Sequence, residues 1–241
     1  LPNVPSMALG SLEVTPIELV TAYAPFANGG FRVKPRLVRS IETADRTQIW
    51  AQEEGRGTPV MDPRDAYQVT SMLQSVVDYG TGKVVREYGA KGLIAGKTGT
   101  TNSGTDVWFV GYTPTIVAGF WFGFDNPAPI SSDASGGRLA APAWAQFYQN
   151  GWREYASPNA WNPPVGMVER MIDPTTGYLA TEWCPAARNE YYKPGTEPTI
   201  ECPVHGPDMG DEENPDWQNQ RDWSNDFGKR IGRALGKIFK F

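Results

Sequence analysis

Apolar residues recur at helical spacing in three segments of the chain, two of which carry start and stop signals. The first begins with a capping box at 15–18, around Pro16, and ends at Asn28-Gly29-Gly30. The second begins at Asp62-Pro63 and ends at Tyr79-Gly80-Thr81-Gly82. A third helical pattern covers residues 140–155. The chain is therefore predicted to contain three substantial helices, two before its middle and one after it.

The segments between these helices show patterns typical of strands. Residues 31–43 alternate like a strand or a hairpin, and two apolar runs, 107–113 and 116–124, are joined by a short turn. A further apolar run at 92–96 leads into the polar residues 97–101. Because helices precede and follow this antiparallel run, we predict an α+β fold with an antiparallel sheet covered by helices.

The pattern loses its periodicity from about residue 156, where Pro, Asn and Trp become frequent. We predict a folded domain over 1–155, a Pro-rich extension over 156–206, and an acidic linker with a basic amphipathic tail over 207–241. The apolar stripe of that tail favours contact of residues 223–241 with a membrane or a protein partner. A solvated or docked terminal helix is the alternative.

Composition excludes several classes of protein. The 241 residues are 40% hydrophobic, which suits a packed core, and the net charge of −5 does not favour binding to nucleic acid. No apolar run reaches the ~18 residues that span a membrane, and no signal peptide is visible. The opening Leu1-Pro2 lacks an initiator Met, so we expect a fragment of a longer protein. No cofactor is expected.

The segment Lys97-Thr98-Gly99-Thr100-Thr101 carries the clearest candidate chemistry. Serine acyl-transfer enzymes need a nucleophile, a base, an oxyanion hole and a grip on the substrate, and this segment can supply the last two. Lys97 sets a positive potential, and Thr98 and Thr100 offer hydroxyls to a substrate carboxylate. Gly99 permits close approach to the backbone, and the Thr100 N–H can serve the oxyanion hole. A lone Lys-Thr-Gly triplet is a weak signal, for which a solvated turn before a strand is the alternative.

Several blocks together resemble the transpeptidase domain of class A penicillin-binding proteins. They are residues 10–19 with their continuation to Gly30, Gly80-Thr81-Gly82, residues 96–101 and residues 106–112. Their order and spacing cover about residues 1–150. The Lys-Thr-Gly triplet belongs to the signature of penicillin-binding proteins and class A β-lactamases. The resemblance implies the fold shared by penicillin-binding transpeptidases and serine β-lactamases, here as a partial domain with an irregular C-terminal extension.

The activity that this resemblance implies is peptidoglycan D,D-transpeptidation by serine acyl transfer at D-Ala-D-Ala. Its partners are peptidoglycan stem peptides and β-lactams. By motif, Lys97 and the oxyanion N–H of Thr100 carry over as catalytic, and Thr98, Gly99, Thr100 and Thr101 as substrate-binding. Thr101 and Asp106 are expected at the rim of the substrate site.

The nucleophile motif of the family is missing from this chain, since no serine has a lysine three positions later. No Ser-x-Asn precedes the Lys97 segment either. We expect the upstream half of the same protein to carry both motifs, a glycosyltransferase domain and a membrane anchor. The chain alone is then inactive, and the intact protein lies in the cell envelope, at the periplasmic face of the inner membrane. A serine β-lactamase-related hydrolase and a non-catalytic cell-wall binding module are the alternatives.

Two cysteines, Cys184 and Cys202, enclose a short Pro-rich segment. In an oxidising compartment such a pair favours a structural disulfide, which we expect here together with no metal. The alternatives are two free thiols, or a metal site with His205 as a third ligand. Zinc structural sites usually have four ligands, and the sequence shows no evident fourth.

Overall fold

A computed structural model describes residues 5, 10, 12–52, 55, 57–152 and 160–206. The predicted acidic linker and basic tail, residues 207–241, lie outside the described residues, as do 153–159 around the predicted domain boundary. The chain divides into two compact units. Unit 1 consists of residues 1–169 and 190–197, and unit 2 of residues 170–189 and 198–241.

Helix α1 (Pro16–Ala27) has the predicted start and stop. The Thr15 hydroxyl accepts a hydrogen bond from the Glu18 N–H at 3.4 Å, and the Glu18 carboxylate accepts one from the Thr15 N–H at 2.9 Å. The helix ends at Asn28, whose N–H still donates to the Ala24 carbonyl. The reciprocal bonds satisfy two N–H groups that a helix otherwise leaves unpaired.

Helix α2 (Pro63–Asp78) also begins as predicted, with the Asp62 carboxylate accepting from the Arg64 N–H at 2.8 Å. The short helix α3 (Val84–Glu87) was not predicted. Helix α4 (Ala141–Phe147) lies between two five-residue π-helical segments, Gly136–Ala140 and Tyr148–Trp152. The predicted third helix therefore begins earlier than residue 140.

Residues 31–59 form two small antiparallel pairs. Strand β1 (Phe31–Arg32) pairs with β4 (Thr58–Pro59), and β2 (Ser40–Glu42) pairs with β3 (Gln48–Ala51). The predicted strand or hairpin over 31–43 thus contains two short strands with different partners, and the second of them, β2, forms a hairpin with β3.

The main sheet has three antiparallel strands in the order β5 (Ala95–Thr100), β6 (Val107–Tyr112) and β7 (Val117–Phe122). Successive side chains of a strand point to opposite faces, and both faces of this sheet are covered. One face packs on a cluster from α2, α3 and α4: Val77, Val85, Ala90, Ile94, Phe109, Ala140, Ala141, Trp144, Ala145 and Tyr148. The other packs on residues of α1 and α2 with Trp161 around Ala27, Ala95 and Tyr112. The predicted α+β fold with a helix-covered antiparallel sheet is confirmed.

The remaining strands, β8 (Val168–Ile172) and β9 (Arg188–Tyr192), form a separate two-stranded sheet. The other described residues of 160–206 are turns and irregular segments joined by isolated bridges. In the described part of the chain, no helix combines the length and the hydropathy needed to cross a membrane.

Candidate active site

Strand β5 lies at an edge of the main sheet, and no other described strand pairs with its outer side. Directly after the strand, the Thr101 N–H donates to the Asp106 carbonyl at 3.0 Å, toward the β6 side. Backbone groups of a strand alternate in direction, so the N–H groups of Thr98 and Thr100 point away from β6. Among the described residues no strand pairs with these N–H groups, so an extended peptide can pair with this edge.

The side chains of Thr98 and Thr100 lie on one face of β5, and each has a partner outside the strand. The Thr98 hydroxyl lies 2.7 Å from the hydroxyl of Thr81, which follows α2. The Thr100 hydroxyl accepts a hydrogen bond from the Gly136 N–H at 3.0 Å. Two segments distant in sequence therefore hold the two hydroxyls of the edge strand.

Gly136 is a glycine for a steric reason. A Cβ at this position would lie 2.2 Å from the Trp108 carbonyl oxygen and 2.7 Å from that of Gly99. Real Cβ atoms do not approach backbone oxygen so closely, so any larger residue would push this segment away from the sheet. The absent side chain lets the π-helical segment Gly136–Ala140 begin directly against β5 and β6.

Lys97 begins on the opposite face of β5 from the two threonines, because strand side chains alternate. Its side chain is exposed, and its Nζ donates to the carbonyl oxygen of Thr98 at 2.8 Å. The structure thus brings the hydroxyls of Thr98 and Thr100 to one face. It places the Lys97 ammonium beside the strand backbone.

Thr101 and Asp106 form the loop between β5 and β6. The Thr101 hydroxyl accepts from the N–H groups of Thr105 and Asp106, both at 3.0 Å. The Asp106 carboxylate accepts from the Trp121 indole N–H at 3.0 Å. Both side chains therefore stabilise the loop that follows the edge strand.

The cysteines belong to a different cluster, in unit 2. Cys184 and Cys202 are buried free thiols, so the expected disulfide is not formed in this structure. Cys202 Sγ lies 3.2 Å from a carboxylate oxygen of Asp173 and 3.4 Å from Nδ1 of His205. Asp173 is the candidate fourth ligand that the sequence did not reveal.

Thr81, Gly136 and Asp173 are the residues that sequence reasoning missed. Thr81 lies in the recognised block Gly80-Thr81-Gly82, and Gly136 is one of a Gly-Gly pair in a loop rich in Pro, Ser and Gly. These signals mark both positions as special without revealing their contacts. No local signal distinguishes Asp173 from other acidic residues.

Two protein families match this chain. Residues 3–149 match the family described as the penicillin binding protein transpeptidase domain, and this match includes the whole of β5. Residues 163–207 match the family described as the penicillin-binding protein 1A C-terminal domain.

Individual relatives extend this agreement. Penicillin-binding protein 1A of Pseudomonas aeruginosa is 32% identical over 243 residues, which cover 80% of this chain and 29% of the relative. The same-named protein of Aquifex aeolicus is 35% identical over 197 residues, which cover 82% of this chain and 26% of the relative.

A solved structure shows the same fold. The crystal structure of penicillin-binding protein 1A from Haemophilus influenzae superposes with a TM-score of 0.71 at 25% identity, covering 83% of this chain and 35% of that one. The chain spans less than a third of the length of the Pseudomonas and Aquifex relatives. Because the transpeptidase match covers more than half of its residues, the chain belongs to the penicillin-binding protein transpeptidase family.

Proposed function

We propose that this chain provides the substrate-binding edge of a peptidoglycan D,D-transpeptidase. The observation that carries the proposal is the open edge of β5, on which Thr98 and Thr100 present hydroxyls to one face. The Thr100 N–H points away from the sheet on the same edge. A single strand therefore offers backbone pairing, hydroxyl donors and an outward N–H, which are the requirements for holding an extended acyl donor.

In this proposal, the stem peptide of the donor strand pairs with the backbone of β5. Its terminal carboxylate accepts hydrogen bonds from the hydroxyls of Thr98 and Thr100, in the positive potential of Lys97. The carbonyl oxygen of the scissile D-Ala-D-Ala bond lies at the Thr100 N–H, which stabilises the negative charge that develops there. Gly99 leaves room for the peptide next to the strand.

The reaction requires groups that this chain does not contain. A serine Oγ attacks the scissile carbonyl and forms an ester bond with it, a base takes the serine proton and passes it to the leaving nitrogen, and the C–N bond breaks to release D-Ala. The amine of a neighbouring stem peptide then attacks the ester and regenerates the serine. No serine of the chain has a lysine three positions later, so we propose that another segment of the protein supplies the nucleophile and the base.

The intact protein, in this proposal, works in the cell envelope on the periplasmic side of the inner membrane. There it is also a peptidoglycan glycosyltransferase, and β-lactams acylate its serine because they imitate D-Ala-D-Ala. In this proposal, the membrane anchor belongs to the segment of the protein that also supplies the nucleophile.

A fluorescent penicillin tests the proposal. The 241-residue chain and a longer form that includes the upstream sequence are incubated with the label and separated on a denaturing gel. We expect no labelled band from the chain alone and a persistent labelled band from the longer form. In the longer form, Thr98→Val slows labelling, whereas Thr58→Val, which removes an exposed hydroxyl on β4, leaves the rate unchanged.

Each other outcome contradicts part of the proposal or favours an alternative function. A labelled band from the chain alone would contradict the assignment of the nucleophile to another segment. Rapid loss of the label by hydrolysis would indicate a β-lactamase-related hydrolase. No labelling of the longer form would favour a non-catalytic cell-wall binding module.

A further inference from the structure

Four potential metal ligands from three segments of unit 2 converge at one point. They are Asp173 after β8, Cys184 and Cys202, and His205, and one ligand atom of each lies within 4.8 Å of all the others. We propose that this four-ligand cluster binds one Zn²⁺ ion. The cluster uses metal-ligating side chains rather than the hydroxyls of the β5 edge. The zinc proposal therefore does not depend on the proposed transpeptidase activity.

Three of the four ligand atoms are separated by distances close to those of a zinc site. Asp173 Oδ2 lies 2.9 Å from His205 Nδ1 and 3.2 Å from Cys202 Sγ, and the latter two atoms are 3.4 Å apart. Zinc–ligand bonds of ~2.0–2.3 Å in a tetrahedral site separate the ligand atoms by about 3.3–3.8 Å. Small movements of these three side chains, with Cys184 Sγ within 4.8 Å of each, would therefore create the coordination sphere.

Burial separates this cluster from a chance surface group. Among the described residues of unit 2, only Ile172, Asp173, Cys184 and Cys202 are buried, and three of these four are the ligands. The described part of unit 2 therefore has little hydrophobic core with which to stabilise its fold. A bound cation supplies that stability and compensates the burial of a carboxylate that is 0% exposed.

The Asp173 carboxylate is fixed in place by its own turn. Its Oδ1 accepts from the Thr175 N–H at 2.9 Å, and its Oδ2 accepts from the Thr176 hydroxyl at 3.2 Å. Support of a ligating carboxylate by such outer hydrogen bonds is typical of metal sites. Here it directs Oδ2 toward Cys202 and His205.

Thr181 supports two further ligands. Its N–H donates to Cys184 Sγ at 3.3 Å, and its hydroxyl donates to the backbone carbonyl of His205 at 3.0 Å. An N–H donated to a ligating sulfur orients it, as outer hydrogen bonds do in many metal sites. The backbone N–H of Cys202 donates to the Leu179 carbonyl at 2.8 Å. This bond joins the segment that carries Cys202 and His205 to the segment that carries Thr181.

The set of donors selects the ion. Two thiolates with one imidazole favour zinc over magnesium or calcium, which prefer oxygen ligands, and a carboxylate is a known fourth zinc ligand. Four protein ligands leave no open position, so the ion is structural. On binding, the two thiols release their protons and His205 coordinates as the neutral imidazole through Nδ1, which gives the site a net charge of −1.

Metal content and thiol state test the proposal together. The full chain is produced with Zn²⁺ in the medium and purified without chelator, its zinc is measured by mass spectrometry, and its thiols are titrated before and after a chelator is added. We expect about one zinc per chain, and thiols that react fully only after chelation. Co²⁺ bound in place of zinc should give the sulfur-to-cobalt absorption of a site with two thiolates.

The matched variants are Cys202→Ser, Asp173→Asn and Glu182→Gln, the last of which removes an exposed carboxylate two residues before Cys184. Zinc should fall at least about tenfold in the first two and remain unchanged in the third. Two outcomes of the unmodified chain overturn the proposal: metal-free protein with a mass two hydrogens lower, which shows a disulfide, and metal-free protein with two reactive thiols. Equal zinc in Cys202→Ser and the unmodified chain also overturns it.

Discussion

The hydroxyl oxygens of Thr81 and Thr98 lie 2.7 Å apart, which joins the end of α2 to the edge strand of the main sheet. Thr98 is thereby held in one side-chain orientation before any ligand arrives. Such preorganisation removes an ordering cost from substrate binding. In the proposed transpeptidase, Thr81 is accordingly a positioning residue, since it acts through Thr98.

Replacing Thr81 with valine removes this hydrogen bond while keeping the shape of the side chain. In the longer, penicillin-reactive form of the protein, we expect Thr81→Val to slow acylation about tenfold, which corresponds to the loss of one hydrogen bond of about 1.4 kcal/mol. The measurement is the second-order rate of labelling by fluorescent penicillin. Thr81→Ser should restore the rate, because it restores the hydroxyl. Equal rates for the unmodified protein and Thr81→Val would show that Thr81 does not position Thr98.

Gly136 provides a test of the other hydroxyl of the edge strand. In Gly136→Ala the added Cβ would lie 2.2 Å from the Trp108 carbonyl oxygen, so the segment must move and its bond to Thr100 must lengthen. We expect a loss of about 1–3 kcal/mol in the free energy of unfolding, measured by urea denaturation. Gly151→Ala is the control, because no atom of the described residues lies within 4 Å of its added Cβ. Similar destabilisation by both substitutions would show that close packing at Gly136 is not the cause.

The sequence predicted the elements whose signals are local. The capping box at Thr15 and the Asp62-Pro63 start both specify a helix within a few residues, and both helices form there. The strand at Lys97 was likewise visible from an apolar run followed by a recognised motif. Local signals of this kind act before tertiary contacts form, and a single sequence is sufficient to show them.

The relationships that build the sites are not local. Thr81 and Thr98 are 17 residues apart, and Thr100 and Gly136 are 36 residues apart. Asp173 lies 29 residues from Cys202 in the sequence. The sequence around the two cysteines therefore did not reveal Asp173 as a possible ligand, and the cysteine pair alone favoured a disulfide. Only the packed structure reveals these pairs, because each depends on how elements are placed in space.

A buried hydrogen-bond chain links α1, α2 and β6, and it makes a prediction about stability. The Thr70 hydroxyl donates to the Phe26 carbonyl at 3.0 Å and lies 3.1 Å from the Tyr112 hydroxyl. We expect Tyr112→Phe to lower the free energy of unfolding by about 1 kcal/mol and Thr70→Val by about 1–3 kcal/mol, since the latter removes a hydrogen-bond partner from both the Phe26 carbonyl and the buried Tyr112 hydroxyl. In urea denaturation, the double variant should lose less than the sum of the single losses. Additive losses would show that the two hydroxyls do not interact.

Asp62, at the start of α2, should titrate far below an ordinary aspartate. Hydrogen bonds from the Arg64 side chain, and then from its backbone N–H, lower the pKa of Asp62 from 3.8 to about 2. Because the pKa is lower in the folded state, the stabilising contribution is complete above pH 3.8 and is lost as the pH falls through about 2. Carboxyl chemical shifts followed by NMR as a function of pH measure this pKa directly. In Arg64→Gln it should rise toward 3.8, and high salt should weaken the effect because the pair is only partly buried. An unmodified chain in which Asp62 titrates near 3.8 would show that the carboxylate does not hold this cap in solution.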